Sequence, residues 1–127
     1  MLLLLIFTFQ VHAQDKPRDE VKLVVDSFIE ALNTQDTKSL IKLMDRNIGF
    51  MTVFFDGSKS ILAAESVEMF IENIESTKEG SIKEELLNDK ITASEALATV
   101  WSEYNFYVNG HLSHCGENAF QLYKSPK

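Results

Sequence analysis

Cysteine is almost missing from this chain: Cys115 is the only one in 127 residues, so no disulfide scaffold can form within it. Proline and glycine are also sparse, two and five, and the chain shows no low-complexity tract, no internal repeat and no linker to a second domain. Basic charge is short as well. Twelve Lys and Arg stand against 19 Asp and Glu, for a net charge of −7. That field repels a phosphate backbone, and no Lys/Arg cluster offsets it, so nucleic acid is excluded as an expected partner and the acidity reads as a solubility feature. No apolar run approaches the roughly 20 residues of a membrane-spanning helix.

What is present is enough for a core. Apolar residues make up 45% of the chain and include nine Phe, three Tyr and one Trp. A single domain of this length buries roughly two-thirds of the surface its unfolded chain exposes. The longest apolar stretch, Leu2 to Phe9, stands at the start and is followed by Val11 and Ala13. Small residues at those two positions suit cleavage before Gln14, so residues 1–13 read as a signal peptide, although no Lys or Arg precedes the run. The mature domain is then residues 14–127. The expected location is secreted or periplasmic, with no membrane contact after cleavage, and the lack of a cysteine after the run argues against a lipid anchor.

Beyond a polar leader, Val21, Val24, Val25, Phe28, Ile29 and Leu32 fall at helical spacing and predict a helix over 19–33. Asp36 or Thr37 can cap a short second helix carrying Leu40, Ile41, Leu43 and Met44. Residues 47–55 are β-branched and aromatic and predict a strand. Asp56-Gly57 signals a hairpin, with a partner strand over 58–62. Ser66 can cap a third helix ending near Thr77. Three strands follow, over 81–92, 96–108 and 111–124, the last two joined by Asn109-Gly110, the signature of a type I′ turn. The order predicts an α+β fold, with helices gathered on one side of a curved antiparallel sheet.

Two stretches, VKLVVDSFIEALNTQDTKSLIKLM (Val21 to Met44) and WSEYNFYVNGHLSHCGENAFQLYK (Trp101 to Lys124), carry a resemblance. Their order and aromatic placement resemble the nuclear-transport-factor-2-like (SnoaL-like) superfamily, most of all its secreted bacterial branch, sometimes labelled lumazine-binding. The resemblance implies a cone-shaped sheet wrapped on three helices, with a pocket between them, and a homodimer through the sheet. Such proteins continue past the Lys-Ser-Pro-Lys position into a final strand, whereas this sequence stops at Lys127. The superfamily holds isomerases, dehydratases, hydrolases and pure binding modules, so fold does not set function.

The Asn-Gly turn allows faces to be assigned. An unbroken two-residue hairpin pairs Val108 with His111 and, further out, Asn105 with His114, Glu103 with Gly116, Trp101 with Asn118 and Thr99 with Phe120. A bulge would flip everything beyond it. In this register one face gathers Trp101, Glu103, Asn105, His114, Asn118 and Phe120, the mixture of rings and polar groups expected of a ligand pocket. Trp101, Asn105, His114, Asn118 and Phe120 are the expected ligand contacts, for a small apolar or aromatic molecule. His114 with Glu103 is the candidate acid–base pair. The same register sets His111 and Cys115 on one face and His114 on the other, which argues against a metal site, and no cofactor is expected. Cys115 reads as a buried small hydrophobe. Asp56 is explained by its turn, and Met51, Phe54, Phe55 and Phe70 read as core.

Three functions fit this reading. The leading one is a secreted ligand-binding domain. The others are a small lyase, isomerase or hydrolase using His114 with Glu103, and an interaction module built on the sheet.

Overall fold

The computed structural model describes residues 15–55 and 57–126. The expected signal peptide and Asp56 lie outside these residues. Helix α1 (Asp15–Asn33) is followed by α2 (Thr37–Leu43), the hairpin β1 (Gly49–Phe55) and β2 (Ser60–Ser66), α3 (Val67–Ser76), and three long strands, β3 (Ile82–Ala93), β4 (Leu97–Val108) and β5 (His111–Tyr123). Helix α1 starts earlier than the apolar stripe because Pro17 falls in its first turn, where proline's missing N–H is no loss.

The turn between α1 and α2 is built without glycine. The Asp36 amide donates to the Ala31 carbonyl and the Gln35 amide to the Leu32 carbonyl, the paired bonds of a Schellman ending. Gln35 takes the left-handed conformation there, with φ of 55°. Its side chain offsets the strain: Nε2 donates to the Ile74 and Thr77 carbonyls, and Oε1 accepts from the Gly80 amide. One residue thereby ties the helix pair to the end of α3. Asp36 then caps α2 by accepting from the Ser39 amide, and Ser66 caps α3 by accepting from Met69.

The core lies where the helices meet the hairpin. Ala31, Leu32, Leu40, Val67, Ile71 and Ile74 are buried together, with Phe28, Phe50, Phe70 and Ile82 packed against them. Phe70 stacks between Phe28 and Phe50, at ring-centre distances of 6.3 and 4.2 Å. Met51 is not part of this core. Strand alternation sends Phe50 inward and Met51 outward, where it is exposed beside Val53 and Leu62.

The three long strands form an antiparallel sheet in the order β3-β4-β5, separate from the β1–β2 hairpin. Asn109 and Gly110 both have positive φ, 50° and 79°, as a type I′ turn requires. Two bulges interrupt the ladders. On β5, Val108 pairs with His111 and Tyr107 with Leu112, but Phe106 pairs with His114, so Ser113 is the extra residue. On β3, Leu87 pairs with Glu103 and Lys90 with Trp101, leaving Asn88 and Asp89 opposite Ser102. Asn88 absorbs the irregularity with a φ of 56°. Bulges increase local twist and bend a sheet, and this one is curved without closing into a barrel.

Candidate functional site

The Ser113 bulge decides which side chains meet. Beyond it, β5 is shifted by one residue against β4, and a one-residue shift moves every side chain to the other face. The helix-facing side of the sheet therefore carries Ala98, Val100, Ser102, Tyr104 and Phe106 from β4, opposite Leu122, Phe120, Asn118, Gly116 and His114 from β5. Burial agrees: Ala98, Val100 and Ser102 are buried while their odd-numbered neighbours are exposed.

The residues expected to share one pocket are thus divided. His114, Asn118 and Phe120 lie on the helix-facing side. Trp101, Glu103 and Asn105 lie on the outer side, opposite Ala119, Glu117 and Cys115. Trp101 is half exposed, at 50%. Glu103 accepts a 2.6 Å hydrogen bond from Asn88 Nδ2 on that outer face, so the His114–Glu103 pair of the unbroken register is not formed. His111 and His114 share the helix-facing side and Cys115 does not, the reverse of the expected arrangement. Cys115 is exposed rather than buried. Among the described residues no group of three or more His, Cys, Asp or Glu side chains could hold a metal ion.

The polar group that does meet His114's side of the sheet is Glu84, which sequence reasoning missed. It follows Lys83 and precedes Glu85 in a charged run that reads as solvent-facing, yet it is the member that alternation turns inward. Its backbone is clamped to the end of α1. The Glu84 amide donates to Asn33 Oδ1 at 2.7 Å, and Asn33 Nδ2 donates to the Glu84 carbonyl at 2.9 Å. Its side chain accepts from Asn118 Nδ2 at 2.5 Å. That contact measures the curl of the sheet. Glu84 lies opposite Phe106, and Asn118 opposite Ser102. In a flat sheet their Cα atoms would be separated by roughly 13 Å along the strands and roughly 10 Å across them, beyond side-chain reach.

Tyr104 lies between those two rows. Its ring covers Gly116, so closely that a Cβ there would sit 2.9–3.0 Å from the phenol. Gly116→Ala is expected to push the ring off its seat at a cost of about 1–2 kcal/mol, the low end for overpacking because the displaced atoms belong to a side chain. Chemical denaturation measures the cost, and a shift of the Tyr104 ring signals reports the displacement. His114 completes the cluster, stacked on Phe106 at 5.0 Å and edge-on to Tyr104 at 5.8 Å, with Nδ1 3.1 Å from Ser113 Oγ. Phe120 meets Phe28 of α1 edge-on at 6.1 Å and forms the apolar end of the same face.

Burial pushes the Glu84 carboxyl above its ordinary value of 4.5, and the Asn118 hydrogen bond opposes this in part. Burial, followed by the nearby acidic charges of Glu84, Cys115 and Glu117, raises the Tyr104 phenol as well. An acid whose folded-state pKa lies above its unfolded value holds its proton more tightly when folded. Its contribution to stability is therefore greatest at low pH and declines as pH rises from the unfolded pKa through the folded one. Glu84→Gln keeps a partner for Asn118 and removes that decline. It is expected to raise stability at pH 7 by about 0.5–2 kcal/mol, the common size of a single stabilising substitution, and to show little gain at pH 4. Urea melts at the two pH values test this.

A second polar cluster sits further along the same face. The Asn88 bulge aims Asp89 at the helices. There it accepts from Ser102 Oγ at 2.6 Å and lies 3.4 Å from Lys22 Nζ of α1. Asp89, Leu86 and Asn33, with Lys22, Asp26, Ile29 and Glu30, line an open cleft of about 350 Å³ between α1 and β3.

No protein-family description and no curated protein matches the chain. Solved structures do. The association domain of C. elegans CaMKII superposes with a TM-score of 0.59 over 84% of this chain and 82% of that one, at 15% identity. A protein from Streptomyces avermitilis, assigned as a dehydratase of the nuclear-transport-factor-2-like family, superposes with a TM-score of 0.51 over the same shares, 84% and 82%, at 14% identity. The chain has the nuclear-transport-factor-2-like fold. The expected three helices on a curved antiparallel sheet are present, and at these identities the likeness is one of fold alone.

Proposed function

We propose that this chain is a secreted or periplasmic homodimeric domain that holds a small molecule against the helix-facing side of its sheet, as in the secreted branch it resembles. The observation that carries the reading is the Glu84–Asn118 bridge. Here a half-buried carboxyl on the helix-facing side has an uncharged amide as its partner. A few convergent polar atoms among aromatic walls is the usual composition of a ligand site. Phe28 and Phe120 supply apolar wall at one end, and Tyr104, Phe106 and His114 at the other. On this reading His114 and Phe120 contact the ligand, and Asn118 holds the Glu84 carboxylate. Trp101 and Asn105 are reassigned to the outer face, where half-exposed Trp101 on the central strand, with Leu87 and Leu97 also exposed, suits the dimer contact.

Native mass spectrometry on protein purified gently from its own secretion route tests this reading. The expected species is a dimer lacking residues 1–13 and carrying a reproducible extra mass. Asn118→Ala is expected to lose the extra mass and remain dimeric, and Trp101→Glu to yield monomer. A folded wild type with no bound mass contradicts the binding reading.

A second reading rests on the raised Glu84 pKa. A carboxyl shifted toward neutrality by burial is suited to proton transfer, and one structural neighbour is assigned as a dehydratase. On this reading Glu84, rather than Glu103, is the general acid–base group of a lyase, isomerase or hydrolase. Turnover of the bound species by wild type, abolished in Glu84→Gln, separates catalysis from binding.

A further inference from the structure

Charge is sorted across the three long strands. The two lysines of β3 both face outward: Lys83 lies opposite Tyr107 and Lys90 opposite Trp101. The helix-facing side carries two carboxylates, Glu84 and Asp89. Among the described sheet residues on that side, the side chains able to carry positive charge are His111 and His114. The two carboxylates differ in what neutralises them. Asp89 has Lys22 Nζ at 3.4 Å and a hydroxyl from Ser102. Glu84 is bonded by the neutral Asn118 amide.

Rings share the Glu84 row of the sheet or lie next to it, and the carboxyl reaches from that row to Asn118. Phe106 is its direct cross-strand neighbour, His114 is the next residue in the same row, and Tyr104 is near enough for its phenol to feel the Glu84 charge. Phe106 and His114 stack face to face at an interplanar angle of 29°. Ring faces carry negative quadrupole density and attract cations, most strongly away from water. A carboxylate whose partner among the described residues is a neutral amide, on a face that also carries Tyr104, Phe106 and His114, is complementary to an organic cation. It repels an organic anion, and it gives a neutral polar molecule nothing beyond hydrogen bonding.

We infer that the site formed by Glu84, Asn118, Tyr104, Phe106 and His114 takes a small protonated amine, whose ammonium pairs with the Glu84 carboxylate and whose carbon skeleton lies on the rings. The inference rests on the ligand-binding reading above and names the chemical class of its ligand. Asn118 is a positioning residue here: its amide holds the carboxylate in place across the curl of the sheet and leaves the second carboxylate oxygen for the ligand.

Three probes sharing one ring separate the alternatives: benzylammonium, benzyl alcohol and benzoate. Each is titrated into the mature chain at pH 7.5 and low salt, and amide and aromatic chemical shifts are followed. Benzylammonium is expected to bind at least tenfold more tightly than benzyl alcohol, and benzoate more weakly than either, with shifts concentrated at residues 84, 104, 106, 114 and 118. Glu84→Gln is expected to bring amine and alcohol within about twofold of each other. Phe106→Leu, which leaves the carboxylate in place, is expected to weaken the amine several-fold and the alcohol less. Alcohol or benzoate binding as tightly as the amine overturns the inference and leaves the ligand-binding reading standing. Failure of all three probes to bind overturns the inference too, and the broader reading then falls only if native mass spectrometry also finds no bound mass.

Discussion

Leu40→Ala is expected to destabilise the domain by about 2–5 kcal/mol, the range for removing a fully buried leucine side chain from a packed core. Leu40 is 0% exposed and belongs to a seven-residue helix, too short to hold itself together by propensity. It is anchored from three sides: Ala31 and Leu32 of α1, Val67, Ile71 and Ile74 of α3, and the Phe28–Phe70–Phe50 stack around them. Truncation removes contacts from each of these, and rings of that size cannot close around the void without leaving their own neighbours. An ordinary domain has about 5–15 kcal/mol of total stability, so this change is expected to consume much of it. Equilibrium urea unfolding measures the cost. Leu40→Met, which nearly preserves volume, is expected to lose less than about 1.5 kcal/mol.

Ser102→Ala is expected to cost about 1.5–3 kcal/mol, the value of a hydrogen bond to a charged group. Ser102 is fully buried, and its hydroxyl donates to Asp89 at 2.6 Å. The bond crosses the Asn88 bulge, where Asp89 would otherwise have no ladder position to hold it. Losing the hydroxyl leaves Asp89 with Lys22 at 3.4 Å, a looser and wetter contact. Two measurements separate a local from a global effect. Denaturation gives the energy, and hydrogen exchange of the β3 amides shows whether the bulge opens. A cost near zero with unchanged exchange would mean that the bulge is held by its backbone alone.

The layout of the fold was legible because its signals are local. Helical spacing of Val25, Phe28 and Leu32, caps at Asp36 and Ser66, and the Asn109-Gly110 turn each act within a few residues. They place the elements to within a few residues of where they lie. The candidate site was not legible, because it depends on register over a long strand. A turn sets register only as far as the first irregularity, and Ser113 lies three residues beyond Gly110. Nothing in the local sequence Leu112-Ser113-His114 marks a bulge: there is no glycine, and serine is common in strands and turns alike. One extra residue in β5 turned His114, Asn118 and Phe120 to the helix-facing side and left Trp101, Glu103 and Asn105 of β4 on the outer one. Glu84 was hidden for a related reason. In Lys83-Glu84-Glu85 two of three side chains are solvated, and what turns the middle one inward is its cross-strand pairing with Phe106 and the Asn33 clamp, a partner 51 residues away.

The central claim, that a half-buried Glu84 bonded by a neutral amide marks the functional face of this sheet, is tested most directly by the carboxyl itself. Side-chain carbon shifts of the glutamates, followed by NMR from pH 3 to 9 and assigned against Glu84→Gln, give its titration. The account expects Glu84 to titrate above 4.5, with the Asn118 side-chain amide signals moving at the same midpoint. A Glu84 midpoint at or below that of the exposed glutamates, with Asn118 unmoved, would contradict it.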